Sequence, residues 1–219
     1  MKKFAFTLAE VLIALVIIGI VAAITLPVLS ANYHEEAAKA ALKKNYSILT
    51  QAFNLAYGYD YDDFRDWDYS RSSEFLGKAY DTLSKYLYIS KTCGHTAGCF
   101  ERTKAKNGQY ATHSSEYGFG NSAPFNFILN DGTAISLDFW YNSSVNNLGV
   151  EKNLLDPNAN LVIGVDINGS KKPNVSGIDV FAFVLTQNGL VPAGYDNNSR
   201  NCNNKSVNLN YDCTAKYLQ

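Results

Sequence analysis

Neither sign of charge dominates this chain. It carries 19 Lys and Arg against 20 Asp and Glu, a formal net charge of −1. The basic excess that draws a chain to phosphate backbones is missing, so nucleic acid is not indicated as a partner. Charged residues reach only 18 %, short of the usual quarter. Asn and Tyr supply much of the remaining polar surface, a balance common outside the cytoplasm. Histidine is scarce as well. His34, His95 and His113 are the three present, and none stands in a nucleophile–base constellation. The chain has no G-x-S-x-G, no H-E-x-x-H and no P-loop, and nothing in it pairs two acids as general acid and base. These absences weigh against an enzyme.

Cysteine is limited to four residues, spaced as two local pairs, Cys93/Cys99 and Cys202/Cys213. An even count behind a membrane-directing segment points to disulfides in an oxidising compartment. Three connectivities are possible, and the two local ones are preferred. In the stretch TCGHTAGCF, a metal set of Cys93, His95 and Cys99 matches no common zinc spacing and lacks a fourth ligand, so a small disulfide loop is favoured.

What the sequence does have is a long uncharged run. From Val11 to Tyr33, 23 residues pass without Asp, Glu, Lys, Arg or His. As a helix this run is about 35 Å long at ~1.5 Å per residue, enough to cross a hydrocarbon core of roughly 30 Å. Lys2 and Lys3 precede it, which leaves the N-terminus in the cytoplasm and sends the remainder outward. Three readings compete: a secretory signal cut at the small residues Val21-Ala22-Ala23, a plain signal anchor, or a specialised anchor. Against the first, the apolar run continues past Ala23 into more helix.

The third reading rests on particular residues. Lys-Lys-Phe-Ala followed by Phe-Thr-Leu-Ala-Glu-Val-Leu resembles the processing site of type IV prepilins and type II secretion pseudopilins. The resemblance covers residues 2–30 and implies a chain of events. A prepilin peptidase cuts a short basic leader between Ala5 and Phe6 and methylates the new Phe6 amine. Glu10 then stands fifth in the mature chain. Gly19 and Pro27 fall where these proteins carry helix-loosening residues, and Ala5 takes the place of their usual Gly before the cut. The implied partners are the peptidase, other pilin or pseudopilin subunits, the inner-membrane assembly machinery, and membrane lipid before assembly. The implied location is a single-pass inner membrane protein with its head outside the cytoplasm, and then a periplasmic or cell-surface filament.

Glu10 has two readings. Thr7-Leu8-Ala9-Glu10 fits the S/T-x-x-E capping box, in which the carboxylate closes a helix start. In the pilin reading, Glu10 pairs with the methylated Phe6 amine of a neighbouring subunit and sets the stagger, because a charge buried among packed helices is costly unless paired. Both roles can hold together.

The expected fold is α+β and pilin-like: a long N-terminal helix, membrane-spanning in its first half, packed on an antiparallel sheet head. The parts are a leader over 1–5, a transmembrane and assembly helix over 6–33, its amphipathic continuation over 34–58, and a head over 59–219. In the continuation, Ala38, Leu42, Leu49, Phe53 and Ala56 form one apolar stripe. A helix so long, with only its outer part backed by a sheet, implies a lollipop shape. Residues 59–72 interleave acids with aromatics and read as a solvated loop. Helical spacing then runs from Ser73 to Lys91. Four strands follow, at 124–129, 133–140, 160–167 and 179–186, the first two joined across Asn130-Asp131-Gly132.

Between the last two strands, Asp166, Asn168, Ser170, Asn174 and Asp179 offer oxygen ligands. Calcium takes six to eight oxygens, and the D-x-N-x-S start resembles the first half of an EF-hand loop. It departs at Lys171, where the turn glycine belongs, and at Gly177, where the bidentate acid belongs. Resemblance to pseudopilins that bind calcium in a loop of this region adds weight to Ca2+, but an Asx-rich turn between strands explains the same residues without a metal and is the preferred reading. At the C-terminus a Cys202–Cys213 bridge resembles the disulfide-closed loop of many type IV pilins.

The functional expectation is a structural filament subunit of a type IV pilus-like or type II secretion system. The alternative is a membrane-anchored binding or adhesin protein that never assembles.

Overall fold

The structure is a computed structural model and describes residues 7–60, 73–111, 114–115, 118–119, 123–145, 148–156, 159–186, 188–194 and 213–219. Two compact units are present, Met1–Ala38 and Lys39–Gln219. Helix α1, Leu8–Asp60, contributes to both across 53 residues. It runs slightly beyond Gly58, the expected stop.

In the second unit α1 behaves as its apolar spacing demands. Leu42, Leu49, Ala52, Phe53 and Ala56 are buried in one cluster. They meet helix α2, Ser73–Ser84, through Leu76, Ala79 and Leu83. The helix expected to reach Lys91 stops at Ser84. Tyr86 N donates to Leu83 O at 3.0 Å, and strand β1 begins at Ile89. The spacing of Leu83, Leu87 and Ile89 suits a helix and a buried edge alike, so periodicity could not locate the switch.

The sheet has six strands where four were expected. Its order is β1 (Ile89–Gly94), β4 (Phe125–Leu129), β5 (Ala134–Tyr141), β6 (Ala159–Asp166), β7 (Val180–Thr186) and β8 (Gly189–Pro192), with all neighbours antiparallel. Strands β2 (Ser114–Ser115) and β3 (Gly118–Phe119) form a separate pair. In the six-stranded sheet, the two strands beyond the expected four are its edges; the short β2–β3 pair was not expected either. β1 is polar in its middle and shifts register twice along β4, and β8 is short and closes on Pro192, so neither shows a clean alternation.

Alternation inside the central strands divides two cores. Ile135, Leu137 and Phe139, Leu161, Ile163 and Val165, and Phe181, Phe183 and Leu185 face α1 and α2. Tyr46 of α1 stacks on Phe183, with ring centroids 5.4 Å apart. The opposite positions, among them Trp140, Val162, Ala182 and Val184, meet Phe100, Phe119, Leu148 and Val150. With both faces covered, β6 and β7 are buried throughout and read as near-continuous apolar runs. Gly164 is required on the second face because a Cβ there would collide with the Phe119 ring, which stacks on Trp140 at 5.1 Å. Each large buried side chain contributes roughly 1.5–3 kcal/mol.

Candidate functional site

Two regions carry candidate chemistry: the start of α1 and the loop between β6 and β7. At the first, Glu10 closes the helix reciprocally. Thr7 N and Thr7 Oγ1 each donate to Glu10 Oε2 at 2.8 Å, and Glu10 N donates to Thr7 Oγ1 at 3.3 Å. The capping box is therefore formed. It engages the carboxylate within its own chain while leaving it exposed.

Leu8–Pro27 is long and apolar enough to cross a membrane, and none of it is buried. A Cβ on Gly19 would meet no atom within 4 Å, so no contact inside the described chain asks for glycine there. Pro27 lies within α1, which continues to Asp60. Having no N–H, it leaves the Ala23 carbonyl without its usual helical donor. Ala5 and Phe6 lie outside the described residues.

Cys93 and Cys99 are joined by a disulfide. Cys213 is disulfide-bonded, and its expected partner, Cys202, lies outside the described residues. His95 Nδ1 meets the Ala123 carbonyl at 2.7 Å. Among the described residues, no three His, Cys, Asp or Glu side chains gather as a metal set.

The β6–β7 loop is organised around two acids that close the strands. Asp179 is almost fully engaged by its own loop. Its Oδ1 accepts Val175 N at 2.6 Å, and its Oδ2 accepts Asn174 N at 2.8 Å and Asn168 Nδ2 at 3.1 Å. Asp166 is fully buried. Its Oδ1 accepts Asn168 N at 3.2 Å, while Oδ2 has no hydrogen-bond partner. Asn168 Oδ1 and Asn174 Oδ1 are likewise buried and without partners. Ser170 is exposed. Burial, with the neighbouring Asp179 charge next, pushes the Asp166 carboxyl up to about 8. Burial also raises Asp179, against the backbone N–H groups that favour its charge.

Three buried oxygens, Asp166 Oδ2, Asn168 Oδ1 and Asn174 Oδ1, thus have no hydrogen-bond donor, and oxygens of this kind could hold a hard cation. Of the five residues expected to offer oxygens, Asp166, Asn168 and Asn174 hold the unused ones, Asp179 is taken up by the loop's own N–H groups, and Ser170 is exposed. The backbone of this loop is left-handed at Gly169 (φ 65°) and at Asn174 (φ 51°).

A third arrangement went unseen in the sequence. Asn45, on the buried stripe of α1, donates through Nδ2 to Thr133 Oγ1 at 3.1 Å and to Ala41 O at 2.9 Å. Beside it Lys44 Nζ meets Asp131 Oδ2 at 2.7 Å. The available signal was a polar residue at an apolar-stripe position between Leu42 and Leu49. Next to this pair lies a cleft of about 210 Å³ lined by Lys44, Ile48, Tyr88 and Leu129.

Residues 1–26 match the family model described as the prokaryotic N-terminal methylation motif. No curated protein and no solved structure matches the chain. The match spans the basic leader, the expected cut, the capping box and most of the exposed apolar helix. The chain thus carries the prepilin-type N-terminal methylation signal that is the hallmark of type IV pilins and pseudopilins.

Proposed function

We propose that this protein is a structural subunit of a type IV pilus-like or type II secretion pseudopilus filament. The observation that carries this reading is the methylation motif over residues 1–26, joined to a helix whose apolar side chains are exposed from Leu8 to Pro27. Prepilin peptidase cuts between Ala5 and Phe6 and methylates Phe6. The inner-membrane machinery then moves the helix out of lipid and against the helices of other subunits. Cohesion comes from apolar packing, since a surface of this size must be covered by lipid or protein.

Register comes from Glu10. Its capping bonds to Thr7 lower the cost of carrying the charge into a helical bundle. A methylated Phe6 amine from a neighbour completes its neutralisation, and a wrong stagger leaves both charges unpaired. Glu10→Ala is expected to abolish filament incorporation while thermal unfolding of the second unit is unchanged. Mass spectrometry of the protein recovered from its own membranes is expected to start at N-methyl-Phe6. A chain beginning at Met1, together with a Glu10→Ala variant that behaves as wild type, would leave a tethered binding protein that does not assemble.

Calcium in the β6–β7 loop belongs to the same proposal. The unused oxygens of Asp166, Asn168 and Asn174 would hold it, with further oxygens from backbone or water to reach its usual six to eight. Bound there, the ion would satisfy groups that otherwise stand as unpaired buried acceptors, each costing about 1–3 kcal/mol. Raised thermal stability with Ca2+, weaker with Mg2+, is the expected result. Identical melting in Ca2+ and in chelator would remove the ion from the proposal.

A further inference from the structure

The β4–β5 turn, Asn130–Thr133, is held from two sides. On one side α1 grips it through Lys44–Asp131 at 2.7 Å and Asn45–Thr133 at 3.1 Å. Within the turn, Asp131 Oδ1 accepts Thr133 N at 2.9 Å, so the residue gripped by Lys44 also shapes the turn. On the other side the β6–β7 loop presses against it. A Cβ built on Gly169 would collide with the Gly132 carbonyl oxygen. Gly169 directly follows Asn168, one of the residues with an unused buried oxygen, and its N–H reaches Asp166 O at 3.4 Å. Strand pairing continues the link, since Asp166 lies opposite Ala134 immediately after the turn.

We propose that a divalent cation in the β6–β7 loop tightens the grip of the β4–β5 turn on helix α1. The inference rests on the calcium reading above. Without a cation, the closed loop keeps three buried oxygens unsatisfied, and local opening relieves that cost by letting water reach them. Opening moves Asn168 and Gly169 first, and the Gly132 carbonyl loses its neighbour. The turn then holds Asp131 and Thr133 less firmly against Lys44 and Asn45. A cation binds the closed arrangement and not the open one, so it shifts the equilibrium toward the state in which the helix is held. Coupling is reciprocal: a weakened grip on α1 must weaken cation binding by the same factor.

The test uses the full chain in detergent and Ca2+ as the probe, with calorimetric binding measured beside amide hydrogen exchange. Saturating Ca2+ is expected to slow exchange about tenfold both in the turn, 129–135, and in α1 over 41–53. Gly169→Ala, strained by its positive φ and by the Gly132 contact, is expected to lose the helix response. Thr133→Val breaks the other end of the link and serves as the milder variant. It is expected to bind Ca2+ more weakly, by the factor lost from the helix response, and at saturation to protect the loop while α1 exchanges as in chelator. Calcium bound by the wild type with no change in α1 would overturn the coupling and leave the cation reading intact. No binding up to millimolar Ca2+ would overturn both. A helix response undiminished in both variants would place the link elsewhere and overturn this route.

Discussion

Helix α1 shows one backbone in two environments. From Leu8 to Pro27 its apolar side chains surround the helix and none is buried. From Leu42 to Ala56, Leu42, Leu49, Ala52, Phe53 and Ala56 form one stripe buried to 5 % exposure or less, while Leu55 on another face is exposed. The same residue types therefore do different work. In the outer segment a single apolar face completes a core, whereas in the first segment the apolar side chains are exposed among the described residues, and in the filament reading lipid or other subunits cover them. On the proposed function, assembly and folding fall to separate stretches of one helix.

The sharpest way to break that contrast is to truncate one leucine-sized side chain in each stretch. Leu49→Ala removes a fully buried side chain and is expected to destabilise the second unit by about 2–5 kcal/mol. Ile17→Ala, at a position 57 % exposed, is expected to leave thermal unfolding unchanged and to reduce filament incorporation instead. Calorimetry paired with a filament-recovery assay checks both. Equal destabilisation by the two substitutions would show that Ile17 is packed within its own chain and would end the division of labour.

The contrast extends to charge. Glu10 is exposed and engaged by its own cap, whereas Asp166 is fully buried with one oxygen unpaired. Burial raises Asp166 to about 8, against roughly 3.9 in an unfolded chain. In chelator and between those values, the native state keeps a proton that the unfolded state has lost. Stability therefore falls as pH rises through that window and levels off above about 8. The Asp179 shift, also upward, acts in the same sense. Asp166→Asn is expected to flatten the slope, to make the metal-free protein more stable than wild type at pH 8.5 by a few kcal/mol on the order set by linkage, and to abolish the response to calcium. A wild-type melting temperature independent of pH in chelator would contradict the burial argument.

These regions were unequally legible in the sequence. The uncharged run, the capping box and the α1 stripe are short-range patterns, and each was readable because every contact it needs lies within a few residues. Central strands β4 to β7 were readable for the same reason. Edge strands β1 and β8 were not, because pairing with β4 and β7 makes them strands and their own alternation is weak. The buried Asn45 was hidden because its partner, Thr133, is 88 residues away. In the β6–β7 loop, composition pointed to a cluster of oxygen-bearing side chains. It could not tell Asp179, whose oxygens are taken by three N–H groups, from Asp166, whose Oδ2 is free of donors. Only the closed loop distinguishes them.

The smallest effect belongs to the pair at the edge of this contrast, Lys44–Asp131. It is short, 2.7 Å, yet the Lys44 side chain is 55 % exposed and that of Asp131 28 %. Partial burial works against the Asp131 charge. The Lys44 ammonium and the Thr133 N–H and hydroxyl outweigh it, and the carboxyl is held below its usual value. A depressed carboxylate contributes stability above its unfolded pKa and loses it as pH falls through the folded one, so the pair should matter at neutral pH and not in strong acid. Exposure and salt screening keep its worth to about 0–1 kcal/mol. Lys44→Met keeps the aliphatic stem beside Ile48 and Leu129 while removing the charge. The expected result is a drop of that size at pH 7 and low salt, shrinking toward zero in 1 M salt. A loss of several kcal/mol that salt does not diminish would show that the α1–turn grip depends on packing around Lys44 rather than on its charge.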